Sequence, residues 1–205
     1  MSDEHNASIM GCAGNKLART PNLDRLAGHG ILFNAHYTTS PLCAPARASF
    51  TLGKYISHIG VWSNSALLPA DDTPSLPRIL NAVGYESFLC GKMHYDSEHR
   101  FGFTEIGRAV TNQGRKSGGI GRRRPDDLAP PGRLSGRFDE FHPGETSGPL
   151  KHDRIVTAGV TEFLASREKT DKPFFLLTGY LAPHFPIIVP EKYWEPFKGK
   201  VPMPE

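Results

Sequence analysis

Leu76-Pro77-Arg78-Ile79-Leu80-Asn81-Ala82-Val83-Gly84-Tyr85-Glu86-Ser87-Phe88-Leu89-Cys90-Gly91-Lys92-Met93-His94 is the stretch that decides how this chain folds. Leu76 to Ala82 reads as a helix that ends at Gly84. Tyr85 to Cys90 is then a short, largely apolar strand, and a polar loop follows it. The same order occurs upstream. Thr20 offers an N-cap and Pro21 a first helical position; Leu23, Leu26 and Ala27 follow at helical spacing, and Gly28 and Gly30 stop the run. Ile31 to Thr38 alternates in the manner of a strand, with Ile31, Phe33, Ala35 and Tyr37 on one face. Ser40 to Pro45 is a tight turn, and Ala44 to Leu52 can form a short helix stopped by Gly53. Downstream, Asp153 to Ser166 is helical in pattern and Pro173 to Tyr180 is a buried strand. Such alternation predicts an α/β layer built on a mostly parallel sheet.

Cys43 stands at the start of one of these helices. Backbone N–H groups and the positive end of the helix dipole point towards such a position, which favours a thiolate or an anionic substrate. Arg47 lies one turn further on and returns to the same face. A nucleophile, a helix N-terminus and an arginine together suit a tetrahedral oxyanion. Taken alone, the pair reads more simply as a small buried thiol and a surface arginine.

Lys92 and His94 follow the Tyr85–Cys90 strand at a spacing of two, so in an extended chain both side chains share a face. Ligands of α/β sheets bind beyond the carboxyl ends of strands, where these residues fall. His184 sits between Pro183 and Pro186 after another buried strand. Asp3 and Glu4 form an acidic pair able to bind a hard cation through oxygen. Each of these three has a bland alternative: a solvated lysine and loop histidine, a rigid turn, a solvated acidic end.

Composition narrows the classes. With 38% hydrophobic and 22% charged residues in 205, the chain suits one globular domain with a real core. Its longest apolar run, near Phe174 to Ala182, is far shorter than the roughly 18 residues of a membrane span. A net charge of +3 is too small to argue for nucleic acid, and the basic run holding Arg115, Lys116 and Arg122 to Arg124 reads as solvated loop. Three widely spaced cysteines make no disulfide framework; Cys90, in an apolar run, reads as a core thiol. Residues 104–150, rich in glycine, proline and arginine, read as a long exposed insertion. The opening residues carry neither a basic region nor an apolar one of the secretory type, which leads to the expectation of a cytoplasmic protein.

The segments together resemble one family. Cys43-Ala44-Pro45-Ala46-Arg47, followed by Ala48, Ser49 and Gly53-Lys54, resembles the first sulfatase signature, and Gly84-Tyr85 through Gly91-Lys92-Met93-His94 resembles the second. Thr20-Pro21-Asn22-Leu23-Asp24-Arg25-Leu26-Ala27 is similar to the helix that precedes the first signature, and Pro183-His184-Phe185-Pro186 to a later histidine loop. The flavour is that of choline-sulfatase-like and related bacterial sulfatases, and of phosphonate monoester hydrolases of the same superfamily.

The resemblance implies an α/β/α sandwich of the alkaline-phosphatase-like type, here incomplete. It implies a sulfuric ester hydrolase acting on a small-molecule sulfate ester, with Cys43 oxidised to formylglycine by a formylglycine-generating enzyme. By resemblance Arg47 positions the formylglycine, Lys92 contacts the sulfate, His94 orients or deprotonates the aldehyde hydrate, and His184 binds sulfate or assists the leaving group. Asp3, Glu4 and the modified Cys43 are the implied ligands of a divalent metal, calcium foremost, with magnesium or manganese as alternatives. Such enzymes normally place an apolar strand before the acidic pair and draw further metal ligands and another lysine from downstream sequence. Residues 1–205 are therefore expected to form the N-terminal part of such a catalytic domain, with an exposed sheet edge. The competing expectations are a phosphonate monoester or phosphodiester hydrolase and a non-catalytic, anion-binding remnant.

Overall fold

A computed structural model describes residues 1–107 and 141–201. In chain order these form α1 (Pro21–Gly28), α2 (Cys43–Leu52), α3 (Ile56–Ile59), α4 (Leu76–Ala82), β1 (Glu86–Gly91), β2 (Thr104–Glu105), β3 (Phe141–Pro143), α5 (Gly148–Ser166), β4 (Phe174–Gly179), β5 (Ile187–Val189) and α6 (Glu191–Trp194).

Local chemistry explains the boundaries. Pro21 opens α1, as its fixed φ and missing N–H suit a first turn. Ser75 caps α4 by accepting from the Arg78 N–H at 3.3 Å, and its hydroxyl also donates to the Phe101 carbonyl at 2.6 Å. Ser147 caps α5 through the Leu150 N–H at 3.2 Å, so this helix starts at Gly148 rather than at Asp153. Gly53, with φ 62, closes α2 by donating its N–H to the Ser49 carbonyl.

The sheet runs β2-β1-β4 and is parallel throughout. β1 pairs with β4 from Glu86↔Phe174 to Gly91↔Gly179. Neighbouring residues on a strand face opposite sides. Leu89 and Leu177 accordingly pack into one core with Ala48 and Leu52 of α2, together with Val61, Met93, Tyr95 and Phe101. Cys90 and Leu176 face the other way, onto Val156 and Val160 of α5. Helices thus cover both faces, giving the expected α/β/α arrangement. Cys90 is a fully buried core thiol, and burial, with Glu105 nearby, pushes its ionisation upward. No helix of the described residues is long and apolar enough to cross a membrane.

Three expectations need correction. Ile31 to Thr38 is not a strand: the segment is irregular, with Ile31 80%, Phe33 72% and Tyr37 85% exposed. Alternation alone does not make a strand, and no ladder partner lies beside it among the described residues. The ends of the 104–150 stretch belong to the fold, since Thr104–Glu105 adds β2 to the sheet and residues 141–150 supply β3 and the start of α5. The centre of that stretch, with Arg115, Lys116 and Arg122 to Arg124, lies outside the described residues. Finally, the sequence around His184 is not all loop. Its end forms β5, which pairs in parallel with β3.

Candidate functional site

Cys43 is the first residue of α2, and the extended backbone of Leu42 leads into it. The Ala44 N–H at this helix end is satisfied by the Asn64 side-chain oxygen at 2.9 Å. One turn on, Arg47 is only 3% exposed. Its Nη1 donates to the Lys92 carbonyl at 2.6 Å, and its Nη2 lies 3.6 Å from Asp3 Oδ1. Lys92 follows β1 directly. Its Nζ is paired with Asp3 Oδ2 and sits 3.8 Å from Cys43 Sγ. Cys43 Sγ is 3.9 Å from each Asp3 carboxylate oxygen. Four residues from three separate parts of the chain therefore meet around one sulfur.

Two glycines make the meeting possible. A Cβ on Gly179 would collide with the Lys92 carbonyl, and one on Gly91, at φ 95, with the Gly179 carbonyl and Val156. The backbones cross so closely that only glycine fits, and the crossing aims Lys92 at Asp3.

His184 arrives from the loop beyond β4. Its Nδ1 lies 2.7 Å from the Phe185 carbonyl, which can only accept, so Nδ1 carries the hydrogen. In the neutral ring Nε2 then presents a lone pair. A donor atom of His184 and those of Asp3 and Cys43 all lie within 4.8 Å of one another. Asp153 fixes this loop, for its carboxylate accepts the Leu181 N–H at 2.7 Å and the Ala182 N–H at 2.9 Å.

Burial works against the ionised form of Asp3, but Lys92, Arg47 and His184 outweigh it and hold the carboxyl below its ordinary range. Two buried cations facing one buried carboxylate leave the site with a positive excess, which suits an anion. The site opens into a cleft of about 910 Å³ lined by Asp3, Cys43 and Arg47, with His36, Tyr37 and Ser40 on its wall.

Two anticipated residues stand apart from this group. Lys92 and His94 lie beyond β1, which ends at Gly91, and His94 is left-handed at φ 60, so the two do not continue a regular strand. Half-buried His94 is not one of the three residues that share the 4.8 Å group. Glu4 is left-handed as well, at φ 56, and its half-exposed carboxylate lies 3.6 Å from His184 Nε2. Sequence reasoning missed Asp153 and Asn64. Asp153 had a visible signal, a carboxylate three and seven residues before the apolar Val156 and Val160 on one helical stripe. Asn64, in a loop, had none.

Lys92 follows β1 and the His184 loop follows β4, so the site lies at the carboxyl ends of adjacent parallel strands. That is an α/β domain with two buried cations beside a helix-borne thiol. The family model described as Sulfatase matches residues 1–204. The chain belongs to the sulfatase family. It is 26% identical over 199 residues to an uncharacterized sulfatase, YidJ, of Escherichia coli K12, covering 96% of this chain and 40% of that protein. It is 29% identical over 226 residues to the choline-sulfatase of Rhizobium meliloti, covering 100% of this chain and 43% of the relative. The structure of BT4656 in complex with its substrate D-glucosamine-2-N,6-O-disulfate superposes with a TM-score of 0.71 at 26% identity, over 100% of this chain and 38% of that one. The phosphonate monoester hydrolase of Agrobacterium radiobacter shares the fold, with a TM-score of 0.63 at 21% identity over 95% of this chain and 42% of that one. The chain thus spans about two fifths of the length of the curated relatives it matches end to end.

Proposed function

We propose that this chain forms the nucleophile-bearing and anion-binding part of a sulfuric ester hydrolase, with Cys43 converted to formylglycine. The observation that carries the reading is the placement of Cys43 Sγ, 3.8 Å from Lys92 Nζ and 3.9 Å from Asp3, at the N-terminus of α2. The hydrated aldehyde supplies a hydroxyl that attacks sulfur and a second hydroxyl whose deprotonation later expels sulfate.

The chain's own side chains do the rest. Lys92 Nζ, beside the position-43 side chain, holds a non-bridging oxygen of the sulfuryl group. Arg47 is placed behind both, positioning Asp3 and the Lys92 backbone rather than the substrate. His184 has Nδ1 committed to the Phe185 carbonyl, so in its imidazolium form it can give the Nε2 proton to the departing alcohol oxygen and return to the neutral ring. His94 is assigned the deprotonation of the hydrate on the family resemblance alone.

Asp3 suits a hard divalent cation: it is a buried carboxylate held ionised, with Lys92 and Arg47 now balancing its charge. It and an oxygen at position 43 would hold such an ion, with Glu4 close by. The ion would supply Lewis-acid polarisation of oxygen. A phosphonate monoester is the second reading: like a sulfate monoester it is tetrahedral and singly charged, so the two cations flanking Asp3 suit either.

Co-expression with a formylglycine-generating enzyme tests the nucleophile. The peptide containing Cys43 should show the mass change from thiol to aldehyde, and an unmodified thiol there sinks the reading. Comparing turnover of aryl sulfate and aryl phosphonate esters by the full-length modified protein separates the two substrates.

A further inference from the structure

The thiol form of the chain presents a different donor set from the modified one. Around residue 43 stand a carboxylate oxygen of Asp3, the sulfur of Cys43 and a ring nitrogen of His184, all within 4.8 Å of one another. Oxygen, sulfur and nitrogen together are a poor match for calcium or magnesium, which take oxygen donors. They match zinc, which binds thiolate, imidazole and carboxylate in a tetrahedron and, with three protein ligands, keeps a fourth position for water.

The local geometry favours this use. The Phe185 carbonyl accepts from His184 Nδ1 at 2.7 Å, which sets the ring with Nε2 as the ligand atom and supplies the outer hydrogen bond typical of metal-bound histidine. Cys43 and His184 are half-buried and Asp3 is buried, and Cys43 and Asp3 line the cleft. Glu4 Oε1, 3.6 Å from Nε2, is placed to take the fourth position or to hold a water there. Zinc bonds of about 2.0–2.3 Å put tetrahedral donors roughly 3.3–3.8 Å apart, so the three groups need to close by about 1 Å.

We propose that the unmodified chain binds zinc through Asp3, Cys43 and His184. Binding releases the thiol proton, because the ligand is the thiolate. The Lys92 ammonium, now paired with Asp3, gives up that carboxylate to the metal, so lysine and zinc compete for it. The site overlaps that of the hard cation proposed above at Asp3 and residue 43, and differs in using sulfur at position 43 and the ring nitrogen of His184. Zinc held by the sulfur also blocks its oxidation to the aldehyde, making metal binding and maturation mutually exclusive. The proposal needs only the thiol form and stands independently of any ester turnover.

The test uses the full chain produced without the modifying enzyme, its free thiol confirmed by mass. Zinc is titrated against a chromophoric chelator, and cobalt(II) serves as the spectroscopic probe. One equivalent should bind, with a thiolate-to-cobalt charge-transfer band that is lost in Cys43→Ser and kept in Cys12→Ser. His184→Ala should weaken zinc at least about tenfold. In the unmutated chain, zinc should protect Cys43 from alkylation, read by peptide mass, whereas calcium should not. A cobalt band that survives in Cys43→Ser overturns the proposal, and so does undiminished alkylation of Cys43 at saturating zinc.

Discussion

Arg47 donates from Nη1 to the backbone carbonyl of Lys92 at 2.6 Å, across 45 residues of sequence. Through this bond the helix that carries Cys43 holds the end of the strand that delivers Lys92. The guanidinium is almost wholly buried and also reaches the sulfur of Met93 at 3.6 Å and the carboxylate of Asp3. It is a joint between α2, β1 and the first residues of the chain, which is why a single turn of helix can set the geometry of the whole site.

Replacing Arg47 by Met keeps much of its volume and removes the joint. A buried hydrogen bond from a charged donor is worth about 1.5–3 kcal/mol, so Arg47→Met should lower the unfolding free energy by about that amount. Urea titration measures it, and a midpoint equal to that of the unsubstituted chain contradicts the role given to Arg47.

Asp153 holds the His184 loop by two backbone N–H groups, from Leu181 and Ala182. Asp153→Ala should speed hydrogen exchange at those two amides selectively and cost about 3 kcal/mol of stability, the worth of two hydrogen bonds to a carboxylate. Asp153→Asn, which keeps one acceptor oxygen, should fall between. Unchanged exchange at Leu181 and Ala182 in the Ala variant would show that the loop is held by other means.

Asp3 makes stability depend on acid. Its folded-state ionisation lies below the ordinary carboxylate value of 3.8 because Lys92 and Arg47 outweigh the effect of burial. As pH falls, the unfolded chain therefore takes up the proton first. The contribution is complete above about pH 5 and is lost as pH drops through 3.8 and below. Asp71 and Asp96 are also held below their ordinary values and act in the same window. The share of Asp3 is thus the difference between the unsubstituted chain and Asp3→Asn. Denaturant midpoints between pH 2.5 and 6 should fall less steeply in the variant, and parallel curves would remove Asp3 from the account.

Gly179→Ala tests the backbone crossing. The added methyl meets the Lys92 carbonyl, and the Lys92 N–H that donates to the Gly179 carbonyl at 2.9 Å must shift with it. A loss of about 1–3 kcal/mol is expected, the usual cost of overpacking a closed site. Thermal unfolding reads it. Gly14→Ala is a poor control, since Gly14 has a positive φ; Gly148→Ala, where nothing lies within 4 Å and φ is ordinary, should be close to neutral.

Much of the layer order is legible in local pattern. Helix α4, its glycine stop and strand β1 follow from propensity and chain punctuation, and the start of α2 follows from Cys43-Ala44-Pro45 before an apolar run. The spacing of Cys43 and Arg47 is a helical turn, a local quantity, so it survives into the structure. Where a reading needed a distant partner, pattern misled. Ile31 to Thr38 alternates yet has no strand to pair with among the described residues.

By itself the sequence determined the residue types of the site, the helix that bears Cys43 and the strand that leads to Lys92, because these depend on contacts within a few residues. Only the tertiary structure decided that Asp3 pairs with Lys92 across 89 residues, that Asp153 holds the loop of His184, and that Glu4 reaches His184. Those outcomes depend on how β1 and β4 pair and where Gly91 and Gly179 let the chains cross. Such packing relations join residues too far apart in sequence for any local propensity to express them.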